Sequence, residues 1–196
     1  MIGAILGDVV GSIYEFDNIK TKEFELFDKK CFFTDDSVMT IAIAEALMQT
    51  ENINKDNLED FKEHLITVMH EIGIKYPDCG YGGHFLVWIL RNKREPYNSF
   101  GNGSAMRVSS VGWYAKTLEE AELIAKATAE VSHNHPEGIK GAEATANAAA
   151  NTVKAGVEGG KAVAEIAAGT ASGGPWGAII SAAWAMRHTL YKILIC

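Results

Sequence analysis

Three oxygen-bearing side chains stand in a row in the segment FTDDSVMT: Thr34, Asp35 and Asp36. A hydroxyl and two carboxylates are hard ligands, the kind that suits Mg²⁺, Ca²⁺ or Mn²⁺ and not zinc. The same residues also read as a helix start, with Thr34 or Asp35 as N-cap and the other carboxylate resting on the helix dipole, worth about 0.3–1 kcal/mol. Upstream, Asp8, Ser12 and Glu15 fall at spacings of four and three, a polar stripe beside isoleucine and valine. If the two segments pack as neighbouring helices, Glu15 reaches the place occupied by Asp35 and Asp36, and three carboxylates together require a cation.

Two glycine-rich loops, GYGG at Gly80–Gly83 and GNGSAMR at Gly101–Arg107, combine small polar groups with free approach to the backbone, the composition of a loop that meets a phosphate or a sugar. Taken singly, either is also an ordinary turn between helices. The segment SHNHPEG offers His133 and His135, two residues apart. A zinc HxH site is one reading, with no third nitrogen or sulfur ligand in view. A polar loop, or a histidine hydrogen-bonded to a ribose, is the other.

These residues need elements to hold them, and the chain supplies helices. Ile2, Ile5, Leu6, Val9, Val10 and Ile13 repeat with helical period. Gly3, Gly7 and Gly11 lie four apart on a neighbouring face, which predicts close packing against another helix. A second helix over 34–49 places Val38, Ile41, Ala42, Glu45 and Met48 on one face. A third, from about Asp56 to Tyr76, buries Leu58, Phe61, Leu65, Val68, Met69 and Ile72 before Pro77 stops it. A short aromatic helix follows around Phe85–Leu90. Thr117 and Glu120 form a capping box for a helix over 118–131, and Pro136 suits the first turn of the next. No alternating strand pattern is present, so the expected class is all-α.

At 196 residues and 47% apolar, the chain can bury one ordinary core. Residues 1–139 carry 13 basic and 22 acidic side chains, whereas 140–196 carry five and three. So acidic a body argues against nucleic acid held by general electrostatics. Cys31, Cys79 and Cys196 are odd in number and far apart, which fits a reducing, cytoplasmic setting better than a disulfide framework. The N-terminal run does not read as a signal peptide, since no basic residue precedes it and Asp8 interrupts it. From about Ala146 the chain becomes alanine- and glycine-rich, and loose packing is expected there. The segments are accordingly 1–146, a helical domain; 147–172, an Ala/Gly-rich stretch; and 173–196, an apolar C-terminal helix. That last helix reads as docked on the body or on another subunit, and as a membrane contact in the alternative. Arg187, His188 and Lys192 argue against a central span.

Taken in order, GAILGDVVGSIYEF, FTDDSVMT, YPDCGYGG, GNGSAMRVSSVGW and SHNHPEGIKGAEATA resemble the ADP-ribosylglycohydrolase family, the group containing the dinitrogenase-reductase-activating glycohydrolase. The resemblance covers residues 1 to about 146. It implies an orthogonal helical bundle, here incomplete on its C-terminal side. It also implies one or two Mg²⁺ or Mn²⁺ ions in a cleft, and hydrolysis of the bond joining ADP-ribose to a protein side chain or a small acceptor. Thr34, Asp35 and Asp36 match the family's first metal motif. Glu15 matches an acidic residue that contacts metal or substrate, so Asp35, Asp36 and Glu15 are the catalytic candidates. Gly80, Tyr81 and Gly82, then Gly101, Asn102, Gly103, Ser104 and Met106, match segments of the substrate cleft, and His133 matches a residue near the bound ribose.

Such a bond breaks through an oxocarbenium-like transition state, which needs fixed negative charge, a positioned water and help for the leaving group. The family also carries a second acidic motif, typically Asp-x-Asp-Thr near the C-terminus. This chain has no aspartate after Asp78. Either the second ion is lost, or its ligands come from another subunit, or the chain is divergent or truncated. The alternative function is ADP-ribose binding with weak or no catalysis.

Overall fold

The computed structural model describes residues 1–21 and 23–167, with side chains to Gly156. Eight α-helices form among them and no strand: α1 Ile2–Gly11, α2 Asp35–Met48, α3 Leu58–Gly73, α4 Gly83–Leu90, α5 Gly103–Met106, α6 Val111–Tyr114, α7 Leu118–Glu130 and α8 Pro136–Ala167. The all-α class expected from the sequence is the class observed. The expected C-terminal helix over 173–196 lies outside the described residues. No helix within them is long and apolar enough to cross a membrane.

α2 is the centre of the body, and α3 packs against it most extensively. Its buried residues are Val38, Met39, Ala42, Ile43, Ala46 and Leu47, with Ser37 and Thr40. This differs from the single stripe expected, since Met48 is 75% exposed and Ile43 and Leu47 point inward. A helix covered from several sides buries two adjacent rows, and its pattern then departs from a one-sided stripe. α3 follows expectation more closely. Phe61, Leu65, Val68 and Met69 are buried, each contributing roughly 1.5–3 kcal/mol of burial free energy.

α4 is clamped by its aromatics. Trp88 stacks on His70 of α3 at 4.2 Å and on Phe85 at 5.5 Å, and its indole N–H donates to the Glu95 carbonyl at 3.1 Å. The start of α7 is capped as predicted by the Thr117 hydroxyl, which accepts the Glu120 N–H. The Glu120 carboxylate, however, takes the N–H of Lys116, one residue before the cap.

Two expectations about small residues are reversed. A Cβ placed on Gly3, Gly7 or Gly11 meets no described atom within 4 Å, so the close helix contact predicted for α1 is not found there. The alanine-rich start of α8, expected to pack loosely, instead comes close to α6. A Cβ on Gly112 would lie 2.5 Å from the Ala150 nitrogen and 2.6 Å from the Ala149 Cβ. Small side chains on both partners let the backbones approach, which large ones would forbid. The chain divides into two units, Gly3–Val153 and Lys154 onward, and the described part of the second is the helical run to Ala167.

Candidate active site

Asp8 of α1 builds the start of α2. Its Oδ2 accepts the N–H groups of Thr34 and Ser37, its Oδ1 accepts the Thr34 hydroxyl at 2.6 Å, and the Ser37 hydroxyl also donates to it. A helix N-terminus leaves N–H groups without partners, and a carboxylate there satisfies them with charge-assisted bonds. Thr34 is the N-cap, its hydroxyl oxygen accepting the Asp36 N–H. Ser12 completes the clasp by accepting the Phe32 N–H at 3.1 Å. Two of the three polar residues on the N-terminal stripe thus fasten the 31–37 segment. The third, Glu15, is exposed beyond the end of α1.

With Asp8 holding it, α2 presents Asp35 and Asp36 on its first turn. Burial and the neighbouring charges of Asp36, Asp8 and Glu15 push the Asp35 carboxyl up to about 6. Burial, then Asp8 and Glu15, raise Asp36 as well. Among the described residues no Lys or Arg side chain pairs with either. The Asp35 N–H donates to the Cys79 carbonyl at 2.8 Å. That contact seats the YPDCGYGG loop on the helix end, and Gly80 follows with φ of +102°, a left-handed conformation that glycine adopts without strain. A Cβ there would also stand 3.5 Å from Asp35 Oδ1.

Beside Asp35 opens a cavity of about 250 Å³. Of the residues expected at the site, Asp35, Gly82, Gly101, Asn102, Gly103, Met106 and His133 line it together. Thr34, Asp36, Glu15, Gly80, Tyr81 and Ser104 do not. Tyr81 is buried, its hydroxyl donating to the Gly73 carbonyl and its ring packed edge-on against Phe85. Ser104 is buried and donates to the Gly138 carbonyl at 2.8 Å, fixing α5 against the start of α8. Phe85, Tyr97 and Arg107 also line the cavity; Arg107 closes the GNGSAMR loop, whereas Phe85 and Tyr97 belong to no motif that marks them as ligand contacts.

Arg107 is fully buried and forms no ion pair with a carboxylate among the described residues. Its Nη2 donates to the Thr128 carbonyl and to Ser132 Oγ, both at 2.8 Å, and its guanidinium lies over the Phe85 ring at 5.6 Å. Burial draws it down to about 10, which leaves it a cation at neutral pH. Burial first, then the Arg107 charge, pushes the His133 imidazole down to about 3, so His133 is neutral in the folded chain. His135, by contrast, sits outside against Phe100, where Nδ1 accepts the Glu137 N–H. The two histidines therefore do not converge as a zinc pair.

A larger hollow of about 320 Å³ lies at the opposite end of α2, beside Leu47, Tyr114 and Glu120. On its walls Glu120 accepts the Lys116 N–H and the Tyr114 hydroxyl donates to the Thr50 carbonyl, and none of the candidate site residues read from the sequence motifs lies there. The smaller cavity is the one with chemistry on its walls.

Among the described residues no three His, Cys, Asp or Glu side chains converge closely enough to hold a metal ion by themselves. The donor set of Asp35 and Asp36 nevertheless fits a hard cation, because burial and then like charges raise both and neither has a cationic partner among the described residues.

The family model for ADP-ribosylglycohydrolase matches residues 1–191. The chain belongs to the ADP-ribosylglycohydrolase family. Curated relatives agree: it is 25% identical over 175 residues to ADP-ribosylhydrolase ARH3 of Mus musculus, covering 72% of this chain and 45% of the relative. It is 26% identical over 169 residues to ADP-ribosylhydrolase ARH3 of Xenopus tropicalis, covering 72% and 46%. For the protein of that name from Homo sapiens the values are 25% over 175 residues, 72% and 46%. The chain thus spans less than half the length of the relatives it matches. For an ADP-ribosylglycohydrolase, the paired aspartates and the glycine-lined cavity beside them are where ligand chemistry is to be sought.

Proposed function

We propose that this chain removes ADP-ribose from a modified side chain or a small acceptor by hydrolysing the C1″ glycosidic bond, with Asp35 and Asp36 as its central carboxylates. The observation that carries this reading is the place of Asp35, whose carboxyl is pushed up to about 6 in the wall of the cavity that Gly101–Gly103 and His133 also line. A carboxyl that changes protonation near neutrality is matched to accepting a proton from an attacking water. In its charged form it stabilises the positive charge that develops on the ribose.

Asp35 and Asp36 would hold Mg²⁺ or Mn²⁺, with Thr34 between Asp8 and the Asp36 N–H fixing their backbone and Glu15 adding negative charge nearby. Such an ion supplies fixed charge that orients sugar hydroxyls and polarises water. The residues of the chain do the rest. Gly82 and Gly101 leave room for a ligand's polar groups to approach the backbone, Met106 and Phe85 give an apolar wall, and neutral His133 offers a hydrogen bond without adding charge.

The second reading is ADP-ribose binding with weak or no catalysis. One pair of experiments separates them. The full chain with Mg²⁺ is incubated with arginine-, serine- and O-acetyl-linked ADP-ribose, beside Asp35→Ala, Asp36→Ala and a chelator control. Release that disappears in both variants and with chelator supports hydrolysis. Heat of binding to ADP-ribose with no release from any substrate supports the binding reading, and neither heat nor release removes both.

A further inference from the structure

We infer that Arg107 and Ser132 are positioning residues that hold His133 as a neutral imidazole with its proton on Nε2, so that it enters the cavity only as a hydrogen-bond donor.

The chain of contacts is directional because its first member cannot accept. A guanidinium has donors and no acceptor, so the 2.8 Å contact from Arg107 Nη2 must occupy a lone pair of Ser132 Oγ. Ser132 is wholly excluded from solvent, and its hydroxyl has one other partner among the described residues, His133 Nδ1 at 2.9 Å. If Nδ1 carried a proton, it would point at that same oxygen, and the hydroxyl hydrogen would be left buried without an acceptor, which is costly. The satisfied arrangement has the Ser132 hydroxyl donating to Nδ1. The ring proton then resides on Nε2.

Nε2 is the nitrogen that matters to a ligand. It lies 2.7 Å from the position a Cβ on Gly103 would take, on a residue that lines the cavity. It bonds to nothing among the described residues, yet it is not among the sealed, unpartnered polar atoms, a group that includes Arg107 Nε and Nη1. Phe85 and Tyr97 flank the ring at 6.2 and 5.7 Å, so ring flipping is resisted by packing as well. The titratable groups around the ring are Arg107 and Tyr97, with His84 and Asp35 facing the same cavity. Burial opposes a positive charge on His133, and Arg107, a buried cation with no carboxylate partner among the described residues, pushes the ring the same way. A donor-only imidazole selects ligand acceptors, such as ribose or phosphate oxygens, over ligand donors. That ligand role rests on the reading of the cavity given above; the tautomer does not.

The test is long-range ¹H–¹⁵N NMR of the imidazoles in the full-length, ligand-free protein, with His133 assigned by its loss in His133→Gln. At pH 7 the His133 signals should have the Nε2–H pattern, unchanged down to pH 5. In Ser132→Ala that pattern should give way to a mixture of tautomers, and Ser132→Thr, which restores a hydroxyl, should recover it. A wild-type His133 that is Nδ1–H or doubly protonated at pH 7 overturns the inference without any variant. So does an unchanged Nε2–H pattern in folded Ser132→Ala. Should neither Ser132 variant fold, the wild-type spectrum and its pH titration decide. Calorimetry with ADP-ribose is the second readout, with a loss of about tenfold expected for Ser132→Ala. The expected tautomer with no ADP-ribose binding by the wild type sinks the proposed function and leaves the positioning intact.

Discussion

Asp8 grips Thr34 twice, taking its N–H on Oδ2 at 2.9 Å and its hydroxyl on Oδ1 at 2.6 Å. One carboxylate on α1 therefore fixes the residue that caps α2, and the same oxygen that takes the Thr34 N–H also takes that of Ser37. Replacing it strands several polar groups at once. Asp8→Ala should cost about 2–3 kcal/mol, and Asp8→Asn, which keeps one acceptor oxygen, about half as much. Denaturant midpoints of the three proteins check this, and wild-type stability in Asp8→Ala refutes the clasp.

The carboxyl of Asp35 makes a prediction with a definite sign. Its folded value of about 6 exceeds the ordinary 3.8, so between those values the folded state binds more protons than the unfolded state. In the metal-free protein its contribution to stability falls as pH rises from about 4 to 6 and is level above. His133, held down to about 3, works in the opposite direction over much of that range, so the comparison must be between wild type and Asp35→Asn. The variant should gain melting temperature at pH 7, by about 2–4 °C, and lose that advantage at pH 4. A difference that does not change with pH contradicts the assigned environment. Millimolar Mg²⁺ at pH 7 should raise the wild type and leave the variant nearly unmoved.

Gly103 and Gly101 differ in a way a single methyl group can expose. A Cβ on Gly103 falls 2.7 Å from His133 Nε2 and 3.0 Å from Cε1, whereas one on Gly101 stays 3.9 Å from that nitrogen. Gly103→Ala must therefore displace a ring that Ser132 and its aromatic neighbours hold. It should weaken ADP-ribose binding by about tenfold and cost about 1–3 kcal/mol of stability. Gly101→Ala should leave stability within about 0.5 kcal/mol of wild type. Equal behaviour of the two variants in calorimetry and melting counts against this geometry.

Gly112 tests the contact between α6 and α8. Its Cβ would meet Ala150 backbone at 2.5 Å, and backbone cannot swing aside as a side chain can. Gly112→Ala should lower stability by about 1–3 kcal/mol despite the better helix propensity of alanine. A stabilised variant shows that the two helices do not meet as described.

What could be read in advance depended on how far apart the interacting residues are. The start of α2 was legible because Thr34, Asp35 and Asp36 cap it from neighbouring positions, and α3 was legible because it buries one face. The polar stripe on α1 was visible as a pattern. Its purpose was not, because Asp8 acts on residues 26 and 29 positions away. Two adjacent buried rows hid the orientation of α2. Arg107 closes the quoted GNGSAMR segment, but a fully buried cation leaves no periodic trace, and its partners Thr128 and Ser132 lie on the far side of α7's sequence. A signal did exist in retrospect: an arginine four residues before the short helix α6, where no nearby acid answers it.

The cavity beside Asp35 draws its walls from the first turn of α2, from residues 82–85, from 97–107 and from His133. These stretches are distant along the chain, and mostly loop-borne. A molecule seated there would act as a reversible crosslink, closing several long loops of the polypeptide at once and making their openings cooperative. Amide exchange in all four stretches should then slow in step as ligand is added, and the four should report a single shared protection factor where the free chain shows several.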